Sequence, residues 1–396
     1  MQHKIPAVFM RGGTSRAVFF REDVMAPYDQ VRRDNIILTA LGSPDPDGRQ
    51  IDGLGGGISS LSKAAIIGQS ANPAYDVTFN FAQVDVKKPF VDWSGTCGNM
   101  SAAVGPFAID EGLIPAAAVE PVTRIHVLAT NTGKSYIAHV PVREGQAEVE
   151  GDYLIDGVPG PGARIALEYL KPDGSLGGAL LPTGMPRQQI KLTDGREVTI
   201  SIVDAALPMV YVQAADVGAE ATRLAPELDR DRALQAVLEE IRCHAAVLLG
   251  LAQTLEIAHE SVKAIPKIAI VAPPAAYQSS SGRSITVEYI DLVARAISME
   301  NTHRTFPATS SMCTAVAAAV EGTVVHEVSR AATTERLRLG HPAGIMEVGA
   351  KVYRRGADWE VESVTTQRTA RRIMEGVILV PQRAMEGKPW FGTAGV

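Results

Sequence analysis

Cys97 is the residue whose setting most favours chemistry. It lies in Asp92-Trp-Ser-Gly-Thr-Cys-Gly-Asn-Met-Ser-Ala-Ala-Val, where a turn at Ser94, Gly95 and Thr96 gives way to a run of small and apolar residues. That order puts Cys97 at or just before a helix N-terminus, where unpaired N–H groups and the helix dipole favour a thiolate. The N–H groups of Gly98, Asn99 and Met100 could equally hold a carboxylate. A cysteine can instead pack as a small hydrophobe. The glycine-rich turn favours function here.

Lys63 is the second candidate. It ends the loop Ile51-Asp-Gly-Leu-Gly-Gly-Gly-Ile-Ser-Ser-Leu-Ser and opens the apolar run Lys63-Ala-Ala-Ile-Ile. The loop satisfies neither GxxxxGK[ST] nor GxGxxG, so nucleotide binding has little support. A lysine between such a loop and a buried strand loses water, which lowers its pKa toward the range of a general base. An ordinary solvated lysine is the equal alternative. Ser60, in the same loop, is a candidate substrate contact.

Near the N-terminus, Phe9-Met-Arg-Gly-Gly-Thr-Ser-Arg-Ala-Val-Phe-Phe sets a polar turn between two strand-like runs. Arg11, Thr14 and Ser15 suit anion binding, arginine by bidentate contact with a carboxylate. A plain hairpin with Gly12 and Gly13 at its tip fits the same residues. Cys313, among Thr, Ala and Val, reads as packing, and Cys243 as structural. His303-Arg304 reads first as a solvated loop. There is no GxSxG elbow, no paired carboxylate motif, no CxxC and no HExxH, so serine hydrolysis, glycoside hydrolysis and a metal site are not expected.

These residues need elements to hold them, and the chain repeats itself. Four echoes occur in the same order in both halves: Ala17-Val-Phe-Phe-Arg with Met209-Val-Tyr-Val-Gln, Thr39-Ala-Leu-Gly with Val247-Leu-Leu-Gly, Lys63-Ala-Ala-Ile-Ile with Lys267-Ile-Ala-Ile-Val, and Cys97-Gly-Asn-Met with Thr309-Ser-Ser-Met. They predict a duplicated strand, helix, strand, helix unit, the halves facing each other across a cleft. The boundary is expected near Leu181-Pro-Thr-Gly-Met-Pro, giving domains 1–184 and 185–396, with the last strand free to return to the first. In the second half Thr309, Ser310 and Ser311 would supply hydroxyls and helix-start N–H groups in place of a second thiol.

At 396 residues two domains are the default. A net charge of −6 argues against nucleic acid as the main partner. No apolar run is long enough to span a membrane and no signal-peptide pattern opens the chain, so a cytoplasmic protein is expected.

Met10-Arg-Gly-Gly-Thr-Ser, Ile51-Asp-Gly-Leu-Gly-Gly, Ser62-Lys63, Asp92-Trp-Ser-Gly-Thr-Cys-Gly-Asn and Arg368-Thr-Ala-Arg-Arg resemble the PrpF family over nearly the whole chain. The resemblance implies a mixed α/β fold of the diaminopimelate epimerase-like kind: two similar domains, each a curved sheet wrapped around a central helix, with the active site between them. It implies a cofactor-free isomerase of an unsaturated polycarboxylate, with Lys63 and Cys97 catalytic. The expected substrate is 2-methylaconitate, in the methylcitrate pathway of propionate breakdown. A 4-oxalomesaconate tautomerase, or a related double-bond shift isomerase, is the alternative. A non-catalytic carboxylate-binding protein on the same fold is the reading from another class. The lack of a second thiol weighs against a two-cysteine epimerase. A homodimer is the candidate assembly.

Overall fold

The computed structural model describes residues 1–115, 120–176, 178–262, 265–298, 301–331, 336–356 and 358–387. The chain divides into two compact units, residues 1–168 with 367–396, and residues 169–366. The first boundary falls at 168/169 rather than at the expected 184/185, and the last strand lies with the first unit. The stretch 169–184 joins unit 2: Gly174 N–H donates to Asp204 O at 3.0 Å, Asp204 N–H donates to Leu180 O at 2.9 Å, and Leu180 sits in that unit's core. Residues after 366 return to unit 1 because the strand Ala370–Pro381 pairs antiparallel with the first strand, from Gln2↔Pro381 to Gly12↔Ala370.

In unit 1, β1 (Gln2–Gly12) and β2 (Ser15–Arg21) form a hairpin. Helix α1 (Gln30–Leu41) is capped by the Asp29 side chain and closed by Gly42 at φ 71°. A Cβ on Gly53 would lie 2.2 Å from Gly42 N, so the loop after α1 can double back only on glycines. Strand β3 (Lys63–Gln69) then runs parallel to β2 and antiparallel to β4 (Val77–Val84). The short β5 (Val91–Asp92) pairs with the end of β4 and leads to α2 (Gly98–Asp110). Strands β6 (Val122–Ala129) and β7 (Lys134–Arg143) complete the repeat, β6 parallel to β4. Helix α2 is buried from Met100 to Ile109 and packs against β1, β2, β3, β7 and the returning strand, so the sheet curves around it. Phe107 meets Phe19 of β2 with ring centroids 5.4 Å apart.

Unit 2 follows the same order. Strands β8 (Glu197–Ala205) and β9 (Leu207–Gln213) form the hairpin, then come helices α3 (Arg232–Leu248) and α4 (Leu255–Ser261). Strand β10 (Lys267–Ala272) is parallel to β9 and antiparallel to β11 (Leu292–Ser298), and the two-residue β12 (Asn301–Thr302) leads to α5 (Ala308–Ala319). Strands β13 (Leu337–His341) and β14 (Gly344–Arg355) close it, β13 parallel to β11. The strands alternate between two cores: Met209, Tyr211, Ala269 and Val271 face α5, while Val210, Val212, Ile268 and Ile270 share the other core with Leu234, Leu238 and Ile241 of α3. Burial on both faces explains why these strands read as continuous apolar runs rather than alternating ones.

Candidate functional site

Lys63 is the first residue of β3 and only 7% exposed. Across the ladder it pairs with Gln83 of β4, whose Oε1 accepts a hydrogen bond from Lys63 Nζ. Gln83 cannot turn its amide round, because its Nε2 donates to Ser62 O at 2.9 Å and Ser59 O at 3.1 Å. Nζ also lies 5.3 Å from the centre of the Phe81 ring. Burial pushes the Lys63 pKa below its ordinary 10.5, and the nearby Cys97 sulfur opposes that shift. Both candidates read from sequence lie in unit 1.

Loop 42–62 is held by Gln50, which is 1% exposed and has φ 55°. Its Nε2 donates to Ser43 Oγ and Ser62 Oγ, both at 2.7 Å, and its Oε1 accepts from Gly57 N–H at 2.9 Å. The left-handed backbone costs energy at a non-glycine residue, and these bonds offset it. Gln50 thereby fixes the residue just before Lys63. Ser60 lies half-buried in the 3-10 turn Ser59–Leu61 of this loop.

Cys97 is the N-cap residue of α2, half-buried, with an extended backbone. Its side chain accepts no capping bond, so the sulfur leaves the N–H groups of Gly98, Asn99 and Met100 to another acceptor. Asp92 shapes the approach by accepting from Ser94 N at 2.8 Å and Ser94 Oγ at 2.6 Å. Asn131 ties both candidates together: its Oδ1 accepts from Phe81 N at 2.7 Å, and its Nδ2 donates to Phe81 O at 2.9 Å and to Trp93 O.

The hairpin tip meets the same helix start. Asn99 Nδ2 donates to Thr14 Oγ1 at 3.0 Å and to Ser15 Oγ at 3.3 Å, and Arg368 Nε donates to Asn99 Oδ1 at 3.4 Å. A Cβ on Gly12 would sit 2.5 Å from Asn99 O. Thr14 is exposed and Ser15 buried, while the Met100 side chain lies in the core, leaving only its N–H for binding. Arg11 donates through Nη1 to Gly13 O and Thr369 O, each at 3.0 Å, so part of its guanidinium is already committed to the backbone.

In unit 2 the N-cap of α5 is Pro307. The equivalence extends inward. Ser101 N–H donates to Cys97 O and Ser311 N–H to Pro307 O, both at 2.9 Å. The residue matching Cys97 is thus Pro307, two before the expected Thr309, and the second unit again has no thiol there. Thr309 is half-buried, Ser311 Oγ donates to Ala308 O at 2.7 Å, and Ser310 Oγ is buried without a partner. Arg304 faces Asp229 at 3.5 Å. Cys313 is buried, its thiol pushed up to about 12, and Cys243 likewise to about 12, chiefly by burial. Cys243, Glu239 and His259 cluster as metal ligands would, but the Arg242 guanidinium already bonds both Glu239 oxygens, at 2.6 and 2.7 Å, and contacts Cys243 Sγ at 3.4 Å. A cation is built into that cluster.

Gln50, Gln83, Asn131 and Arg368 are the site-building residues that motif reading passed over. Arg368 alone carried a signal, in Arg368-Thr-Ala-Arg-Arg.

Comparison with known proteins shows the family. Residues 2–381 match the PrpF protein family. A Shewanella oneidensis 2-methyl-aconitate isomerase is 40% identical over 389 residues, covering 96% of this chain and 98% of its own. An Eubacterium barkeri 3-methylitaconate isomerase is 43% identical over 381 residues, with 96% and 98% covered. The crystal structure of a methylitaconate-delta-isomerase superposes with a TM-score of 0.89 at 41% identity, covering 99% of each chain. The chain belongs to the PrpF family of isomerases.

Proposed function

We propose that the protein isomerises 2-methylaconitate by moving a proton, with Lys63 as base. The observation that carries this reading is the desolvated Lys63 amine, oriented by Gln83 beside a thiol at an uncapped helix start. A neutral amine that donates one N–H to Gln83 Oε1 keeps its lone pair for a substrate proton. That proton comes from a CH₂ flanked by a carboxylate and a C=C bond. The resulting carbanion spreads over the alkene, whose central bond loses double-bond character and can rotate. Return of the proton to the same carbon completes cis-trans isomerisation. The N–H groups of Gly98, Asn99 and Met100 would stabilise the spreading charge, with Arg11, Thr14, Ser15, Ser60 and Asn99 as further contacts. Cys97 returns the proton or positions the carboxylate.

A second reading uses the same residues. The 43% identity to a protein named for 3-methylitaconate supports a double-bond shift, in which the proton returns to a different carbon. Turnover of 2-methylaconitate, trans-aconitate, 3-methylitaconate and 4-oxalomesaconate, followed by proton NMR, decides between them. Turnover of 2-methylaconitate at least tenfold above the others supports the first reading, and no turnover of any acid favours a carboxylate-binding protein. Among the described residues no helix is long and apolar enough to cross a membrane. A cytoplasmic homodimer completes the proposal, with fractionation and light scattering as its checks.

A further inference from the structure

Three strands of unit 1 set three arginines in one row. Arg11 of β1 pairs with Arg16 of β2 on one side and with Arg371 of the returning strand on the other. Residues directly opposite across a ladder share a face, and neighbouring strands lie about 4.8 Å apart, so the row spans about 10 Å. Like charges so placed repel. Burial, and after it the Arg371 charge, pushes the Arg11 pKa below its ordinary 12.5. Among the described residues no carboxylate pairs with any of the three. Arg372, the next residue along, is by contrast paired with both Glu111 and Glu375.

The row is held in place rather than splayed into water. Arg16 is half-buried, its guanidinium carbon lies 5.4 Å from the centre of the Phe9 ring, and its Nε is buried with no hydrogen-bond partner. Its Nη2 reaches the loop before Lys63, where a Cβ on Gly56 would lie 3.0 Å away, so glycine there leaves the guanidinium room. Phe9 and Val18, on the same face, belong to the core shared with α1. Arg11 bonds Gly13 O and Thr369 O through Nη1 alone, which keeps its Nε and Nη2 donors uncommitted. Three cations in register, with buried donors and no acid to neutralise them, cost stability that a bound anion would offset.

We propose that Arg371, Arg11 and Arg16 form a binding site in unit 1 for a compact polyanion, either a polycarboxylate or a phosphoryl compound. Arg16 and Arg371 take no part in the proton transfer described above.

Calorimetric titration of the full chain with inorganic pyrophosphate and with propane-1,2,3-tricarboxylate tests it. Wild-type protein should bind at least one probe, and Arg16→Gln and Arg371→Gln should each weaken that probe about tenfold or more. Preference for pyrophosphate assigns the row to phosphoryl groups, and preference for the tricarboxylate assigns it to carboxylates. Arg355→Gln, at an exposed arginine of unit 2 that faces Glu360, should change neither by more than about twofold. Without ligand, Arg371→Gln should hold or raise the melting temperature, because a repelling charge is removed. Wild-type protein that binds neither probe, or Arg371→Gln protein that binds as tightly as wild type, overturns the site. Equal losses from Arg355→Gln and Arg371→Gln would also overturn it, as attraction to charge anywhere on the surface.

Discussion

Lys63 and Gln83 face each other across the β3–β4 ladder, and the Gln83 amide is locked so that its oxygen points at the lysine amine. Gln83→Leu should therefore leave the fold in place and lower kcat about tenfold to a hundredfold, since the amine loses its orientation but not its position. Gln83→Glu should act through charge. A carboxylate beside the amine favours the ammonium, raises the Lys63 pKa and moves the activity rise to higher pH. Steady-state kinetics across pH checks both.

The pH profile of the wild type follows from the lowered Lys63 pKa. A base must be unprotonated, so kcat/KM should climb as pH rises through the Lys63 pKa and level off below the ordinary lysine value of 10.5. Cys97 opposes the shift, so Cys97→Ser should let the Lys63 pKa fall further. The rise in residual activity, or the ¹⁵N shift of labelled Lys63, should then move to lower pH. Stability has its own sign: a lysine pKa depressed by folding costs stability while the group is protonated, and that cost fades as pH rises through the folded value.

Thiol labelling should single out Cys97. Cys243 and Cys313 are buried with thiols pushed up to about 12, whereas Cys97 is half-exposed at a helix start. Iodoacetamide at neutral pH should give one adduct on the native protein by intact mass, at Cys97, and a bound polycarboxylate should slow it. Fast adducts at Cys243 or Cys313 would contradict this assignment.

Asn131 predicts a coupled loss. Its amide serves Phe81 and Trp93, 50 and 38 residues away, so Asn131→Ala strips partners from three backbone groups. A stability loss of about 1–3 kcal/mol is expected from urea unfolding. Activity should fall further than stability, because Phe81 lies under Lys63 and Trp93 precedes the turn to Cys97.

Much of this was legible in the sequence because it is local. The turn before Cys97, the glycine loop before Lys63 and the apolar β3 and β10 each announce themselves within a dozen residues. The sequence echo aligns Thr309 with Cys97 through the shared Met and Ala-Val that follow, whereas the N-cap of α5 is Pro307, two residues earlier. Gln83, Asn131 and Gln50 were invisible for a different reason. Each is a common polar residue whose partners lie 7 to 50 residues away, and nothing local marks it. The sequence leaves the last strand free to return to the first domain, but the register of Ala370–Pro381 on β1 is a pairing across the whole chain that neither strand encodes.

The most direct measurement follows 2-methylaconitate by proton NMR in heavy water, with wild-type protein and with Lys63→Met shown to be folded by circular dichroism. The wild type should interconvert the isomers and exchange the methylene protons, and Lys63→Met should do both about 10²–10⁴-fold more slowly. Folded Lys63→Met that isomerises at the wild-type rate would contradict the account.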